Sequence, residues 1–331
     1  LNIPLVSSAG HGDVIPFDCN LYAGQMGPRG NKIASQLVNN ADLIIAIGTR
    51  LGFNSTFYSY DNISKSAKIV QVDIDPIALG RYFPIELGIN NDAKKFLENL
   101  LTLLSLKKLK YNNSVWVNSF INERNNYYKK RDSEADVGSE TIQPSGLFKE
   151  LRDVMPKNSS VTLDAGTLCL QATDQFNFAE SKSLFTPLDF GLVGFSFAAG
   201  LGVKLAKPNS PVFSLMGDGG FGMTVSELST AVQHNINTIT IVMNNKSWGA
   251  EKAYQRDYYK KRYIGADISS PPFHELAELY GAKGYHITQL KDFKNAVTDA
   301  LVCNMPAVIN VEVDPKALYS FRKDSFTHRV K

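Results

Sequence analysis

Apolar positions along this chain fall in short, nearly continuous runs, each stopped by Gly, Asn, Asp or Pro. Leu43-Ile44-Ile45-Ala46-Ile47-Gly48 is one such run, and Lys68-Ile69-Val70-Gln71-Val72-Asp73-Ile74-Asp75-Pro76 is another. Strands buried on both faces read this way, and helical stretches between them indicate a parallel sheet covered on both sides. Residues 92–106 predict a helix that closes this block, with Phe96, Leu97, Leu100, Leu101 and Leu104 on one stripe. The pattern then turns polar. Residues 107–144 are rich in Asn, Lys, Tyr and Glu and predict one polar helix over 116–131, followed by irregular chain, as an interdomain connector would.

From 145 onward the alternation of strand and helix returns. Strands are expected at 160–163, 212–216, 238–243 and 307–313. Between the second and third, Thr224 and Glu227 have capping-box spacing, and Val225, Leu228, Ala231 and Val232 form the stripe of the helix they would open. No internal repeat or low-complexity stretch interrupts the series. The fold class expected is therefore α/β, with two doubly wound parallel-sheet domains at 1–106 and 145–331 and a connector at 107–144. The chain opens on Leu1 and reaches Ile3-Pro4-Leu5-Val6 almost at once. A domain rarely starts inside a core strand, so the sequence reads as the C-terminal part of something longer.

Composition narrows the partners. With 331 residues, 44% hydrophobic and 20% charged, the chain has ample core for about two domains. Net charge is only +3. Lys107-Lys108 and Lys129-Lys130-Arg131 read as solvated helix faces, so no nucleic-acid partner is expected. Cys19, Cys169 and Cys303 are odd in number and lack metal-ligand spacing, which fits reduced thiols in a cytoplasm. No apolar stretch is long enough to span a bilayer, and there is no signal peptide, so no membrane partner is expected.

The chemistry is concentrated at two strand ends. Gly217-Asp218-Gly219-Gly220 stops the run at 212–216, and Asn244-Asn245 stops the run at 238–243. Asp218 and Asn245 supply hard oxygen ligands, and the glycines leave backbone N–H groups open to an anion. Together they describe a seat for a divalent cation carrying a diphosphate. Neither motif is specific alone. In sequence, with a strand and helix between them, they match the thiamine diphosphate signature, GDG followed by NN. No Gly-Lys-Ser/Thr loop follows a strand and no G-x-G-x-x-G opens the first helix, which excludes a nucleotide kinase or a dehydrogenase.

On these residues the chain resembles, over essentially all its length, the central (Rossmann-like) and C-terminal diphosphate-binding domains of the acetolactate synthase/pyruvate decarboxylase group. The resemblance implies thiamine diphosphate and Mg2+ as cofactors. It places Asp218 and Asn245 on Mg2+ through their side chains and Ser247 through its carbonyl. It places Gly217, Gly219 and Gly220 at the diphosphate, with Gly166 and Thr167 of Asp164-Ala165-Gly166-Thr167 at the same anion. In Asp189-Phe190-Gly191-Leu192-Val193-Gly194-Phe195, the Gly191 carbonyl would meet the aminopyrimidine, and Val193, small for the role, would prop the cofactor. Buried strand-to-helix packing is the alternative for that segment.

Three segments are similar to the sulfoacetaldehyde acetyltransferase family. They are Asn245-Lys246-Ser247-Trp248-Gly249-Ala250-Glu251-Lys252 running on toward Arg262, the pair Ala9–Asp18 and Ala23–Asn31, and Phe321-Arg322-Lys323-Asp324. That similarity implies conversion of sulfoacetaldehyde and phosphate to acetyl phosphate and sulfite, in taurine and other sulfonate degradation. Lys252, Arg256 and Arg322 are the cations to test against those two anions, and His11 is a candidate proton carrier; a surface charge or loop hydrogen bond is the alternative for each. Trp248 and Tyr254 either wall the pocket or pack in the core. The family's full-length members add a pyrimidine-binding domain whose glutamate activates the cofactor, and no residue here matches that glutamate. A homodimer or homotetramer, with the site completed by such a domain, is implied, and this chain alone would hold half a site. Two rivals stand beside this reading: a 2-oxo acid synthase or decarboxylase, and a non-catalytic cofactor-binding subunit of a split enzyme.

Overall fold

Every strand described pairs in parallel. We analyse a computed structural model, described here for residues 1–27, 30–107 and 113–319, with the side chains of Cys169 and Leu170 excepted. The expectations for Pro28, Arg29, Lys108, the Cys169 thiol and residues 321–324 lie outside it. The chain divides into two units, Leu1–His11 with Asp18–Lys129, and Gly12–Phe17 with Lys130–Lys331. Residues 107–129 of the stretch read as a connector thus group with the first unit, and the remainder with the second.

In the first unit, β1 (Leu5–Ser7) pairs with β2 (Tyr22–Gln25), and α1 (Lys32–Asn39) follows. Asn31 caps α1: its side-chain oxygen accepts from the N–H groups of Ile33 and Ala34 at 2.7 and 3.4 Å. A second sheet has the order β3 (Leu43–Ile47), β4 (Lys68–Asp73), β5 (Leu87–Asn90), with the short α2 (Phe53–Thr56) between its first two strands. Helices α3 (Ala93–Lys107) and α4 (Ser114–Ser133) complete the series. The expectation of a sheet covered on both faces fails here, since Leu43 and Ile45 on edge strand β3 and Leu87 on β5 are exposed. The stripe on α3 is likewise not core: no residue of that helix is buried, and Leu97 and Leu101 are exposed. The segment at 3–6, read as core, leaves Ile3 and Leu5 exposed.

The second unit carries α5 (Pro144–Val154), β6 (Ser160–Leu163), α6 (Thr167–Ala172), β7 (Leu184–Phe185) and α7 (Phe195–Ala206). It continues through β8 (Val212–Gly217), α8 (Asp218–Thr224), α9 (Leu228–Gln233), β9 (Ile239–Asn244) and α10 (Gly249–Tyr258). It ends with α11 (Phe273–Leu279), β10 (Lys283–Ile287), α12 (Phe293–Val302) and β11 (Ala307–Glu312). The six strands form one sheet in the order β10-β11-β9-β8-β6-β7. Strand β9 is buried throughout and β11 up to its last residue, as all-parallel strands between helix layers should be. From β6 the chain steps one way to β7, then back across to β8 and β9, so the strand order reverses between β6 and β8.

Two local expectations are overturned. The helix after β8 begins at Asp218 itself, not at Thr224, and the Thr224 hydroxyl is buried without a partner among the described residues. Glu227 instead accepts from the Thr230 hydroxyl at 2.9 Å, so there is no capping box. Arg131 is not solvated: its guanidinium pairs with Asp132 and donates to the Asp174 carbonyl, and its side chain is only 11% exposed. Among the described residues no helix is long and apolar enough to cross a membrane.

Candidate cofactor site

The point of strand reversal between β6 and β8 is where an open α/β sheet leaves a crevice at its carboxyl ends. The loops leaving β6, β8 and β9 carry the residues singled out in the sequence. Strands β8 and β9 are neighbours in register up to Gly217 opposite Met243, so Asp218 and Asn245 leave adjacent strand ends. The backbone N–H groups of Gly219 and Asn245 face the Asp218 carboxylate and favour its charged form. The Ser270 hydroxyl donates to Asp218 Oδ2 at 2.6 Å. Burial pushes the Asp218 carboxyl up from its ordinary value, and those hydrogen bonds hold it down.

The two asparagines divide their tasks. Asn244 is buried; its amide donates to Asn310 Oδ1 at 3.2 Å and its oxygen accepts from the Lys246 N–H. It braces the loop. Asn245 accepts from the Ser247 N–H at 3.1 Å and stands nearer the site. Directly after them Lys246 takes φ +54°, a left-handed conformation uncommon for a residue with a side chain.

The remaining residues converge from β6 and α7. A Cβ added to Gly249 would sit 3.1 Å from Asn245 Nδ2 and 3.2 Å from Thr167 Oγ1, so the Thr167 and Asn245 side chains meet around that glycine. A Cβ on Gly219 would meet the Trp248 ring at 2.6–2.9 Å, and one on Gly220 would run into Asp164 Oδ2. Trp248 therefore packs on Gly219. Val193 lies against Gly220, its Cγ1 being 3.5 Å from the same virtual Cβ. Asp164, which no sequence motif assigns to the site, accepts from the Gly194 and Ser196 N–H groups at 3.1 and 3.3 Å. It thereby satisfies the start of α7, where Gly194 has φ +86°. Burial pushes the Asp164 carboxyl up, against the pull of those N–H groups. Gly166 and Gly191 have open space where a Cβ would stand.

The other candidates lie as follows. Lys252 on α10 is paired with Asp267 at 2.5 Å and sits 5.7 Å from the Tyr263 ring. Arg256, one turn on, binds Asp257 and donates to the Leu318 carbonyl at 2.9 Å. Tyr254 is exposed and packs on Tyr258 and Tyr259. His11 belongs to the first unit, exposed on a turn where its N–H donates to the Ser8 carbonyl. Ser270 had no local signal beyond the two prolines that follow it.

These residues fit a cation and an anion. Among the described residues no ion pair reaches the buried Asp218, and the hydroxyls of Thr167 and Ser247 are buried without a partner. No cluster of three or more His, Cys, Asp or Glu is placed among them to hold a metal. A seat with one carboxylate, an amide and a carbonyl suits Mg2+, which takes its other ligands from phosphate and water.

Comparison with known proteins agrees. Residues 164–311 match the thiamine pyrophosphate enzyme C-terminal TPP binding domain, and residues 1–100 match the thiamine pyrophosphate enzyme central domain. The two matches span well over half of the chain, which belongs to the thiamine pyrophosphate enzymes. Thiamine diphosphate is the cofactor these domains imply, usually with Mg2+. Sulfoacetaldehyde acetyltransferases of Alcaligenes xylosoxydans xylosoxydans and Castellaniella defragrans are each 29% identical, covering 100% of this chain and 59% of the relative. A probable acetolactate synthase large subunit of Methanocaldococcus jannaschii is 30% identical over 95% of this chain and 54% of its own length. The chain thus spans little more than half of the curated relatives it matches.

Proposed function

We propose that the chain is the cofactor-anchoring portion of a thiamine diphosphate-dependent acetyltransferase that converts sulfoacetaldehyde and phosphate to acetyl phosphate and sulfite. The observation that carries the anchoring role is that Asp218 and Asn245 leave the neighbouring ends of β8 and β9, beside Gly219 and Gly220, neither of which has room for a Cβ. Support for the substrate comes from the Trp248–Lys252 segment and from the two acetyltransferase relatives. In this reading Asp218, Asn245 and the Ser247 carbonyl hold Mg2+, and Gly217, Gly219, Gly220, Gly166 and Thr167 hold the diphosphate. Gly191 and Val193 orient the rest of the cofactor. When bound, thiamine diphosphate supplies the nucleophilic carbon and the electron sink of the reaction. The protein's share is charge and position. Lys252 and Arg256 lie four residues apart on one face of α10, as two cations addressing a sulfonate and a phosphate would. Asp267 keeps Lys252 oriented until an anion competes for it. The active assembly is a homodimer or homotetramer in which a pyrimidine-binding domain supplies the activating glutamate and His11 carries protons.

The test is product analysis with Mg2+ and thiamine diphosphate. Sulfite and acetyl phosphate should appear from sulfoacetaldehyde and phosphate when a pyrimidine-binding domain is supplied, and not from the chain alone. CO2 from pyruvate under the same conditions would favour the acetolactate synthase reading, which the 30% identical relative keeps in view.

A further inference from the structure

Asp218 and Asn245 sit on different elements, and one short stretch of chain touches both Asp218 and the three residues that follow Asn245. Residues 246–248 run antiparallel to 266–268: the Trp248 N–H donates to the Ala266 carbonyl at 2.8 Å, the Ile268 N–H donates to the Lys246 carbonyl at 3.1 Å, and Ser247 bridges Asp267. That pairing clamps the loop carrying Asn245 and Ser247. A few residues on, Phe273 is buried against Phe221 of α8, ring centroids 5.1 Å apart and edge to face. That contact clamps the helix that begins with Asp218. Ser270 lies between the two anchors and is followed by Pro271 and Pro272, whose rings fix their own φ and confine Ser270 to extended backbone. Its hydroxyl has one described partner, Asp218 Oδ2, at 2.6 Å. That length is typical of a hydroxyl donating to an ionised carboxylate.

We propose that Ser270 is a positioning residue for the metal: its hydroxyl holds the Asp218 carboxylate in the orientation that ligates the divalent cation. The inference rests on Asp218 being a metal ligand. A carboxylate has about four lone-pair sites, so one hydroxyl on Oδ2 fixes the group's rotation and leaves oxygen free for the ion. A side chain held this way meets the metal without first losing rotamer freedom, and partners that orient a ligand are worth about 10- to 100-fold in metal affinity.

The probe is Mn2+, titrated into the full chain at a fixed concentration of thiamine diphosphate and followed by the loss of the free-ion electron paramagnetic resonance signal. Ser270→Ala should weaken Mn2+ binding about 10- to 100-fold. Ser270→Thr, which keeps the hydroxyl, should restore most of it, a rescue that a packing role would not produce. Asp218→Asn is the reference for the ligand and should leave the free-ion signal undiminished. Wild-type affinity in Ser270→Ala, or failure of Ser270→Thr to rescue, overturns the positioning role while Asp218→Asn still reports the metal. Wild-type affinity in Asp218→Asn overturns the ligand assignment itself.

Discussion

Gly219 carries a contact that no residue with a side chain could make. The Trp248 ring occupies the space a Cβ would need, at 2.6–2.9 Å, and that ring is too rigid to fold aside. Gly219→Ala should therefore weaken thiamine diphosphate binding, through an overpacking strain of about 1–3 kcal/mol. Pairing it with Trp248→Ala should return part of the loss, and equilibrium dialysis of the cofactor across the double-mutant cycle reads the coupling. Strict additivity would mean that the two residues act separately. At this scale the sequence was most informative. The placement of Asp218 and Asn245 at neighbouring strand ends was legible because each motif is local and stops an apolar run that forms a buried strand. Asp164 and Ser270 were not, because their roles arise from contacts with Gly194, Ser196 and Asp218 across distances no spacing rule covers.

Among the elements, legibility followed burial. The four strands expected in the second unit appear within a residue of their expected ends, since buried parallel strands are nearly continuous apolar runs. Strand β10 carries no such signal, because an edge strand reading Lys-Gly-Tyr-His-Ile has no apolar run. Helix α8 was displaced for the opposite reason: three glycines in seven residues give poor intrinsic propensity, and packing of Phe221 against Phe197 and Phe273 overrides it. The edge of the sheet also holds a stacked histidine pair. His274 on α11 stacks on His286 of β10 with ring centroids 4.3 Å apart, and His286 is paired with Glu312 at 2.9 Å. Burial first and the facing His286 second hold the His274 ring below its ordinary value, against the opposing pull of Glu275, Glu278 and Glu312. A depressed histidine contributes stability that is present above its unfolded value and is lost as pH falls through the folded one. The thermal midpoint should therefore decline on acidification below about pH 6.5. His274→Phe, which also removes a buried Nδ1 with no partner among the described residues, should flatten that decline. An unchanged acid limb in the variant would assign the loss to other groups.

For the whole molecule, the question is whether an anchor can bind without turning over. Every residue assigned here to Mg2+ and the diphosphate comes from the second unit, so cofactor affinity should survive in the chain as it stands. Binding to the folded state alone stabilises it by about 2.7 kcal/mol when free ligand is 100-fold above its dissociation constant. The chain has two tryptophans, Trp116 on α4 and Trp248 against Gly219. Trp116→Phe leaves Trp248 as the sole reporter beside the cofactor. In that variant the melting curve followed by Trp248 fluorescence should move to higher temperature with Mg2+ and thiamine diphosphate together. EDTA should reverse the shift, because the diphosphate is held largely through the metal. The same sample should release no sulfite from sulfoacetaldehyde and phosphate. A shift accompanied by sulfite would make the chain a complete enzyme. No shift at all would remove Asp218 and Asn245 from the role of anchor. A reversible shift without turnover is the signature of half a site, in which one polypeptide holds the cofactor by its phosphates and the group that activates its ring belongs to another domain.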